Sequence, residues 1–326
     1  MRAVVLDSKG GPEILTVRDG VAAPEPQGEE VRVRVHAFAI NRADVLQRRG
    51  LYPAPPDAID KEIPGLEYAG EVEALGPRAR MRAIGERVFG ITGAGAYAQR
   101  LCVHERATMR IPDGMPFVDA AAVPEAFMTA FDALAQGGFA PGGSVLIHAV
   151  GSGVGLAALQ LVATAGGTAI GTSRTAEKLA RAQPYGLAAS ALLDEAWDEL
   201  ARRHTHGAGV DVVLDFIGPS VYARNLAALR IGGRVVQIGT LAGGKAEIEI
   251  GLLMQKRATW IGTTLRARPI EEKIALARTF ERLVVPQFGA GRLRAAIDTV
   301  YEFEQIAEAH RRMESDRSFG KIVVKT

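Results

Sequence analysis

The stretch "IHAVGSGVGLAALQLVATAGGTAIGTSR", Ile147 to Arg174, narrows the fold more than any other part of the chain. An apolar strand runs through a glycine-rich break into an apolar helix, and a second strand follows. Gly151, Ser152, Gly153, Val154 and Gly155 stand where the helix opens. Bare backbone there lets amide groups approach an anion, and the positive end of the helix dipole favours one. A missing Cβ at Gly155 lets helix and strand pack closely. The spacing is G-x-G-x-G, not the G-x-G-x-x-G dinucleotide fingerprint, so alone it also describes a plain strand-to-helix turn. The strand–break–helix–strand order lifts the dinucleotide reading above that alternative.

The end of the second strand, "GTSRTAEKL", indicates which dinucleotide. NAD-binding sheets usually place Asp or Glu there for the ribose hydroxyls. No carboxylate stands at Thr172, Ser173 or Arg174. Ser173, Arg174 and Lys178 offer hydroxyl and cationic donors, which suit a 2′-phosphate. The plainer alternative makes Arg174 and Lys178 solvated surface charges. The donors favour NADPH over NADH.

Around this unit, strands and helices alternate: "SVLIHA", "TAIGTS", "VDVVLDFIG", "GRVVQIG" and "TWIGTTL" as strands, with "EAWDELARRH" and "YARNLAALR" among the helices. Such alternation implies right-handed crossovers and a mostly parallel sheet covered on both faces. Before it the chain is strand-like. "VRVRVHAFAI" has the period of a half-buried strand, and "YAGEVEALG", "GERVFGIT" and "AYAQRLCVH" are further short strands cut by Gly and Pro. "YPAPPDAIDKEIPG" has too many prolines for a helix and reads as a surface loop. The tail from about Arg266 holds the helix "IEEKIALARTFERLV" and the strands "RAAIDTVYEF" and "GKIVVKT", and is expected to rejoin the first part. The expected organisation is a β-rich domain over 1–124 and 265–326, with an α/β domain over 125–264 inserted in it.

Bulk properties exclude several classes. A formal net charge of +2 invites neither nucleic acid nor an anionic membrane. No basic–aromatic interleaved surface suggests RNA. The start of the chain does not read as a signal peptide, and no apolar run approaches a membrane span. One cysteine, Cys102, forms no internal disulfide framework and fits a reducing cytoplasm.

Taken together, "PGLEYAGEVEALG", "GERVFG", "VPEAFMTAFDAL", "IHAVGSGVGLAALQL", "VDVVLDFIG" and "FGKIVV" run in an order that resembles the medium-chain dehydrogenases/reductases. "NRADVLQRRGLYP", "LIHAVGSGVG" and "TTLRAR" look like the zinc-free quinone oxidoreductases, closest to the p53-inducible type. The resemblance implies a GroES-like β-rich catalytic domain, a Rossmann-type doubly wound cofactor domain, and a homodimer. Leu66 occupies the family's zinc-ligand histidine position and "INRAD" lacks the cysteine, so no metal site is expected. His36 and His148 read as packed or hydrogen-bonded; His204 and His206 read as solvated.

The same resemblance suggests site residues. Thr129 would lie by the pyrophosphate, and Ser152, Gly153 and Val154 would give amides to phosphate. Ser173, Arg174 and Lys178 would meet the 2′-phosphate. Ile217, Ile238 and Gly239 would line the crevice at the strand ends, and Leu265 and Arg266 would reach the nicotinamide unless Leu265 is plain core. In the catalytic half, Asn41 would orient the nicotinamide ribose or the acceptor carbonyl. Asp44 has either a catalytic role or a hold on its own loop. Tyr52 either donates to the acceptor or serves as an amphipathic cover. Glu67 has a structural or supporting part. The implied activity is NADPH-dependent transfer of hydride to a quinone or enone. Reduction of 2-enoyl thioesters and non-catalytic redox sensing are its rivals.

Overall fold

The computed structural model describes residues 1–55, 58 and 62–326. Part of the proline-rich loop reading, at Pro56, Asp57 and 59–61, lies outside the described residues. The chain divides into two compact units, one of residues 1–128 with 265–326 and one of residues 129–264.

In the first unit, seven described strands form one largely antiparallel sheet. The long strand Glu30–Ile40 is its spine. It pairs with Glu67–Leu75, with Arg100–His104 and with the C-terminal strand Lys321–Lys325, so the tail does rejoin the first part. Its residues alternate as the sequence pattern requires: Val31, Val33 and Val35 face a core with Tyr68, Leu101 and Ile322. Arg32 turns outward, where Glu73 of the neighbouring strand takes its Nε at 2.7 Å and Arg100 Nε at 2.8 Å. From Ala37 to Ile40 both faces are buried. The chain then enters the helix Arg42–Arg48. Its buried face carries Asp44, Val45, Gln47 and Arg48, too polar for hydrophobic periodicity to reveal it.

The second unit is a six-stranded sheet among the described residues, with every pairing parallel. In space the strands run Leu187–Leu192, Thr168–Ser173, Ser144–Ile147, Val210–Asp215, Leu229–Gln237 and Thr259–Gly262. The inner strands are apolar runs, with Val145, Leu146, Ile147, Val212, Val213, Leu214, Val235 and Val236 all fully buried, as expected of a sheet covered on both faces. Leu187–Leu192 was not anticipated. Its sequence, "LAASAL", is rich in alanine and poor in β-branched residues, and it lies at a sheet edge. The expected helix "YARNLAALR" ends at Ala228, and Leu229 already begins the next strand. At the other edge, Thr259–Gly262 pairs on one side only.

Candidate active site and dinucleotide site

In the first unit, Asn41 ends the long strand and caps the helix Arg42–Arg48. Asp44 Oδ2 accepts the Asn41 backbone N–H at 2.8 Å, so Asp44 does hold its local turn. The Asn41 amide is engaged at both ends. Its Nδ2 donates to Glu67 Oε1 at 2.8 Å, and its Oδ1 accepts from Lys321 Nζ at 2.5 Å. Lys321 Nζ also donates to the Ile40 carbonyl and lies 2.6 Å from Glu67 Oε1. Glu67 is fully buried, and its Oε2 accepts the backbone N–H of Glu125 at 2.8 Å. An ion pair this deep holds only because its remaining hydrogen-bonding capacity is also met.

Asp44 is tied from the other side as well. The Tyr97 hydroxyl donates to Asp44 Oδ2 at 3.0 Å and lies 3.1 Å from His310 Nε2. Arg48 Nη1 donates to His310 Nδ1 at 3.4 Å. Burial pulls the imidazolium down to about 3, so the ring is neutral. A guanidinium can only donate; Nδ1 therefore accepts, and Nε2–H donates to the Tyr97 oxygen. Asp44 Oδ1 is buried with no partner among the described residues. Burial raises the Asp44 carboxyl to about 6, against the pull of Asn41 N–H, Tyr97, Arg266 and Lys321. Burial, and then the neighbouring Glu67, push Glu125 up to about 8.

Tyr52 is half-buried beside Arg266. The guanidinium lies 5.2 Å from the Tyr52 ring centroid, and it donates to the carbonyls of Tyr52 and Gly93 and to Gln47 Oε1. Arg266, expected as a nicotinamide contact, also anchors the Tyr52 loop within the first unit. Leu265 beside it is buried in the same unit. Tyr97, Arg48, His310 and Lys321 were not singled out from the sequence. The one visible signal is Lys321, a lysine that opens the strand "KIVVK" and is buried there.

In the second unit, the glycine break opens the helix Gly153–Thr164. Ser152 caps it, with Oγ accepting the Gly155 N–H at 3.0 Å. The amides of Gly153 and Val154 fall in the first turn, where a helix offers no internal acceptor. A Cβ on Gly155 would lie 2.7 Å from the Ala149 carbonyl oxygen and 2.9 Å from that of Val150, so only glycine fits. Thr129 Oγ1 is buried with no partner among the described residues, as a hydroxyl reserved for a ligand would be. These features fit a dinucleotide.

Ser173 is buried and its Oγ accepts the Thr175 N–H, while Arg174 is exposed just beyond the strand end. The Lys178 stem lies over Gly151, its Cδ 2.9 Å from where a Cβ there would stand. Ile217 follows Asp215, whose Oδ1 accepts the N–H groups of Ile217 and Gly218 at 2.6 and 3.0 Å. Ile238 and Gly239 direct their N–H groups at the Asp215 carbonyl. The strand ends therefore carry Ser173, Ile217, Ile238 and Gly239 at the same edge of one parallel sheet. Among the described residues no group of three or more His, Cys, Asp or Glu side chains is arranged to hold a metal ion. No described helix is long and apolar enough to cross a membrane.

Comparison with known proteins agrees with this architecture. Residues 27–113 match the alcohol dehydrogenase GroES-like domain family, and residues 153–281 match the zinc-binding dehydrogenase family. A quinone oxidoreductase of Pseudomonas aeruginosa is 33% identical over 97% of this chain and 96% of its own length. The crystal structure of Escherichia coli quinone oxidoreductase complexed with NADPH superimposes with a TM-score of 0.87 at 26% identity, covering 100% of both chains. That of an NAD-dependent alcohol dehydrogenase does so with a TM-score of 0.88 at 30% identity, again over 100% of both. With its GroES-like unit, its parallel nucleotide-binding sheet and these relatives, the chain belongs to the quinone oxidoreductases of the medium-chain dehydrogenase/reductase superfamily and is a nicotinamide-dependent oxidoreductase.

Proposed function

We propose that this protein reduces quinones or related conjugated carbonyls with NADPH, without a metal. The observation that carries the cofactor choice is the strand end after the glycine break. It presents Ser173, Arg174 and Lys178, and no carboxylate stands there to meet a free 2′-hydroxyl. The cofactor, when bound, supplies a hydride from its nicotinamide ring. The chain's own residues orient the reactants and exclude water. Thr129 Oγ1 and the amides of Gly153 and Val154 hold the pyrophosphate. Ile217, Ile238 and Gly239 form the apolar strand-end wall, and Leu265 covers the nicotinamide side. Asn41, with its amide locked by Glu67 and Lys321, is a rigid polar group for the reacting end. Tyr52, its loop fixed by Arg266, donates a hydrogen bond to the acceptor oxygen. A quinone is electrophilic enough to need no Lewis acid.

Arg174→Ala tests the cofactor assignment. Losing one charge-assisted contact costs ~1.5–3 kcal/mol, about one to two decades in NADPH affinity. NADH affinity should stay unchanged; equal losses for both would make Arg174 a structural residue.

A second reading, reduction of 2-enoyl thioesters, draws on the same anchored Tyr52, which such a reaction would use as its proton donor. Turnover of NADPH against a simple quinone, an enone and an enoyl thioester separates the two. No turnover with any acceptor would favour a redox sensor. We also infer a homodimer formed through the open edge Thr259–Gly262. Ile250 and Met254, on the helix just before that strand, are 64% and 70% exposed. An open edge beside an apolar surface calls for a cover. The single, buried Cys102 fits work in the cytoplasm.

A further inference from the structure

Beneath the strand ends of the second unit runs a buried polar chain for which the activity above has no use. Thr172 Oγ1 lies 2.7 Å from His148 Nδ1, and His148 Nε2 lies 2.7 Å from Asn225 Oδ1. Asn225 Nδ2 donates to Asp215 Oδ2 at 2.9 Å. All four residues are fully buried. The directions follow from the far end. Asp215 accepts from the Asn225 amide nitrogen, so Asn225 presents its oxygen to His148, and His148 Nε2 must carry a proton. Burial lowers the His148 imidazolium below its ordinary range, which keeps the ring neutral. Nδ1 is then an acceptor, and Thr172 donates to it. Trp197 packs against the ring in a T-shaped contact at 4.9 Å, and the Arg224 guanidinium lies over that indole.

Three of the four members, His148, Thr172 and Asp215, sit next to turns that the proposed cofactor would touch. His148 precedes Ala149, whose φ of 49° is left-handed and unusual for a residue with a Cβ. Such a conformation persists only where its surroundings over-determine it. Here His148 is pinned on one side, and on the other the Val150 N–H donates to the Thr172 carbonyl at 3.0 Å. Thr172 precedes Ser173. Asp215 Oδ1 gathers the N–H groups of Ile217 and Gly218, and its carbonyl those of Ile238 and Gly239. The helix residue Asn225 closes the circuit.

The geometry points to His148 and Asn225 as positioning residues for the dinucleotide: with Thr172 and Asp215 they lock the glycine break and the neighbouring strand-end turns into one rigid frame. This rests on the dinucleotide reading above. None of the four side chains is itself a donor to the 2′-phosphate, as Ser173, Arg174 and Lys178 are, so their loss falls on NADPH and NADH alike, unlike the loss of Arg174.

The test measures dissociation constants of NADPH and NADH by fluorescence titration for wild type, His148→Leu and His148→Gln, with the fold checked by circular dichroism. Leucine removes both ring contacts; glutamine keeps one acceptor and one donor. His148→Leu should weaken both dinucleotides by the same factor, about tenfold, as expected for a lost hydrogen bond to a buried partner. His148→Gln should recover most of it. In wild type, nitrogen NMR should show His148 as a neutral ring protonated at Nε2 across neutral pH. If His148→Leu does not fold, Thr172→Val takes its place, leaving Nδ1 without its donor at nearly constant volume, and the same equal weakening is expected. Affinities within twofold of wild type in a folded variant would overturn the inference and leave the dinucleotide reading standing. So would a change in the NADPH-to-NADH ratio, failure of glutamine to rescue, or an Nδ1–H ring. Absence of dinucleotide binding by wild type would overturn both.

Discussion

Asp44 gives the sharpest energetic prediction. Its carboxyl is fully buried and is raised from 3.8 to about 6, chiefly by desolvation. One pKa unit corresponds to ~1.4 kcal/mol, so the ionised carboxylate is disfavoured in the folded state by ~3 kcal/mol. The folded state therefore binds the Asp44 proton more tightly than the unfolded chain. The stability this provides is complete below pH ~4 and is lost as pH rises through about 6. Between pH 5 and pH 7 the loss amounts to ~1 kcal/mol. Asp44→Asn keeps an acceptor for Asn41 N–H and Tyr97 and does not titrate. Its new amide hydrogens carry a cost for burial without a partner, but that cost is the same at both pH values and cancels. Glu125, raised to about 8, also loses stability across this window, but it does so in both proteins and its share cancels in the difference. Urea denaturation of both proteins at the two pH values reads the difference. The stability of Asp44→Asn relative to wild type should rise by ~1 kcal/mol from pH 5 to pH 7. No change, or a change of opposite sign, would refute the claim that burial sets the state of Asp44.

The remaining expectations concern the reaction and the assembly. Tyr52→Phe should keep most quinone turnover and raise KM several-fold, because a hydrogen bond of ~1 kcal/mol is lost while protonation of the reduced quinone needs no strong acid. A collapse of kcat, coupled to a wild-type preference for enoyl thioesters, would favour the rival reading, where general acid help is worth ~10²–10⁴-fold. Dialysis against a strong chelator should leave quinone turnover unchanged and elemental analysis should find no stoichiometric zinc; one zinc per chain with activity lost on chelation would contradict a metal-free mechanism. Light scattering at micromolar concentration should give a dimer that Ile261→Lys, on the open edge, converts to monomer; a wild-type monomer would refute the edge assignment.

The parts of this structure that could be read in the sequence are the local ones. The glycine break works through residues within one turn of each other, and the strands "VRVRVHAFAI" and "VDVVLDFIG" carry their burial in their own pattern. Leu187–Leu192 escaped because alanines carry little strand preference and an edge strand needs no apolar run. The helix Arg42–Arg48 escaped because its buried face is Asp44, Gln47 and Arg48. The polar partners are the least legible. Tyr97 lies 53 residues from Asp44 and 213 from His310, and Arg48 lies 262 from His310. No spacing rule spans such gaps; only the sheet that pairs the last strand with the long N-terminal one brings them together. Arg266 shows the converse. Its place in the chain suggests a ligand contact, and its burial against Gln47, Tyr52 and Gly93 adds a role in fixing a loop that no local pattern shows.

The most direct test of the central claim is steady-state reduction of a simple quinone by the purified protein, with kcat/KM measured for NADPH and for NADH under the same conditions. The strand end at Ser173 and Arg174 predicts turnover with NADPH at least tenfold more efficient, the value of one charge-assisted contact to the 2′-phosphate. Equal or better use of NADH, or no quinone turnover with either, would contradict it.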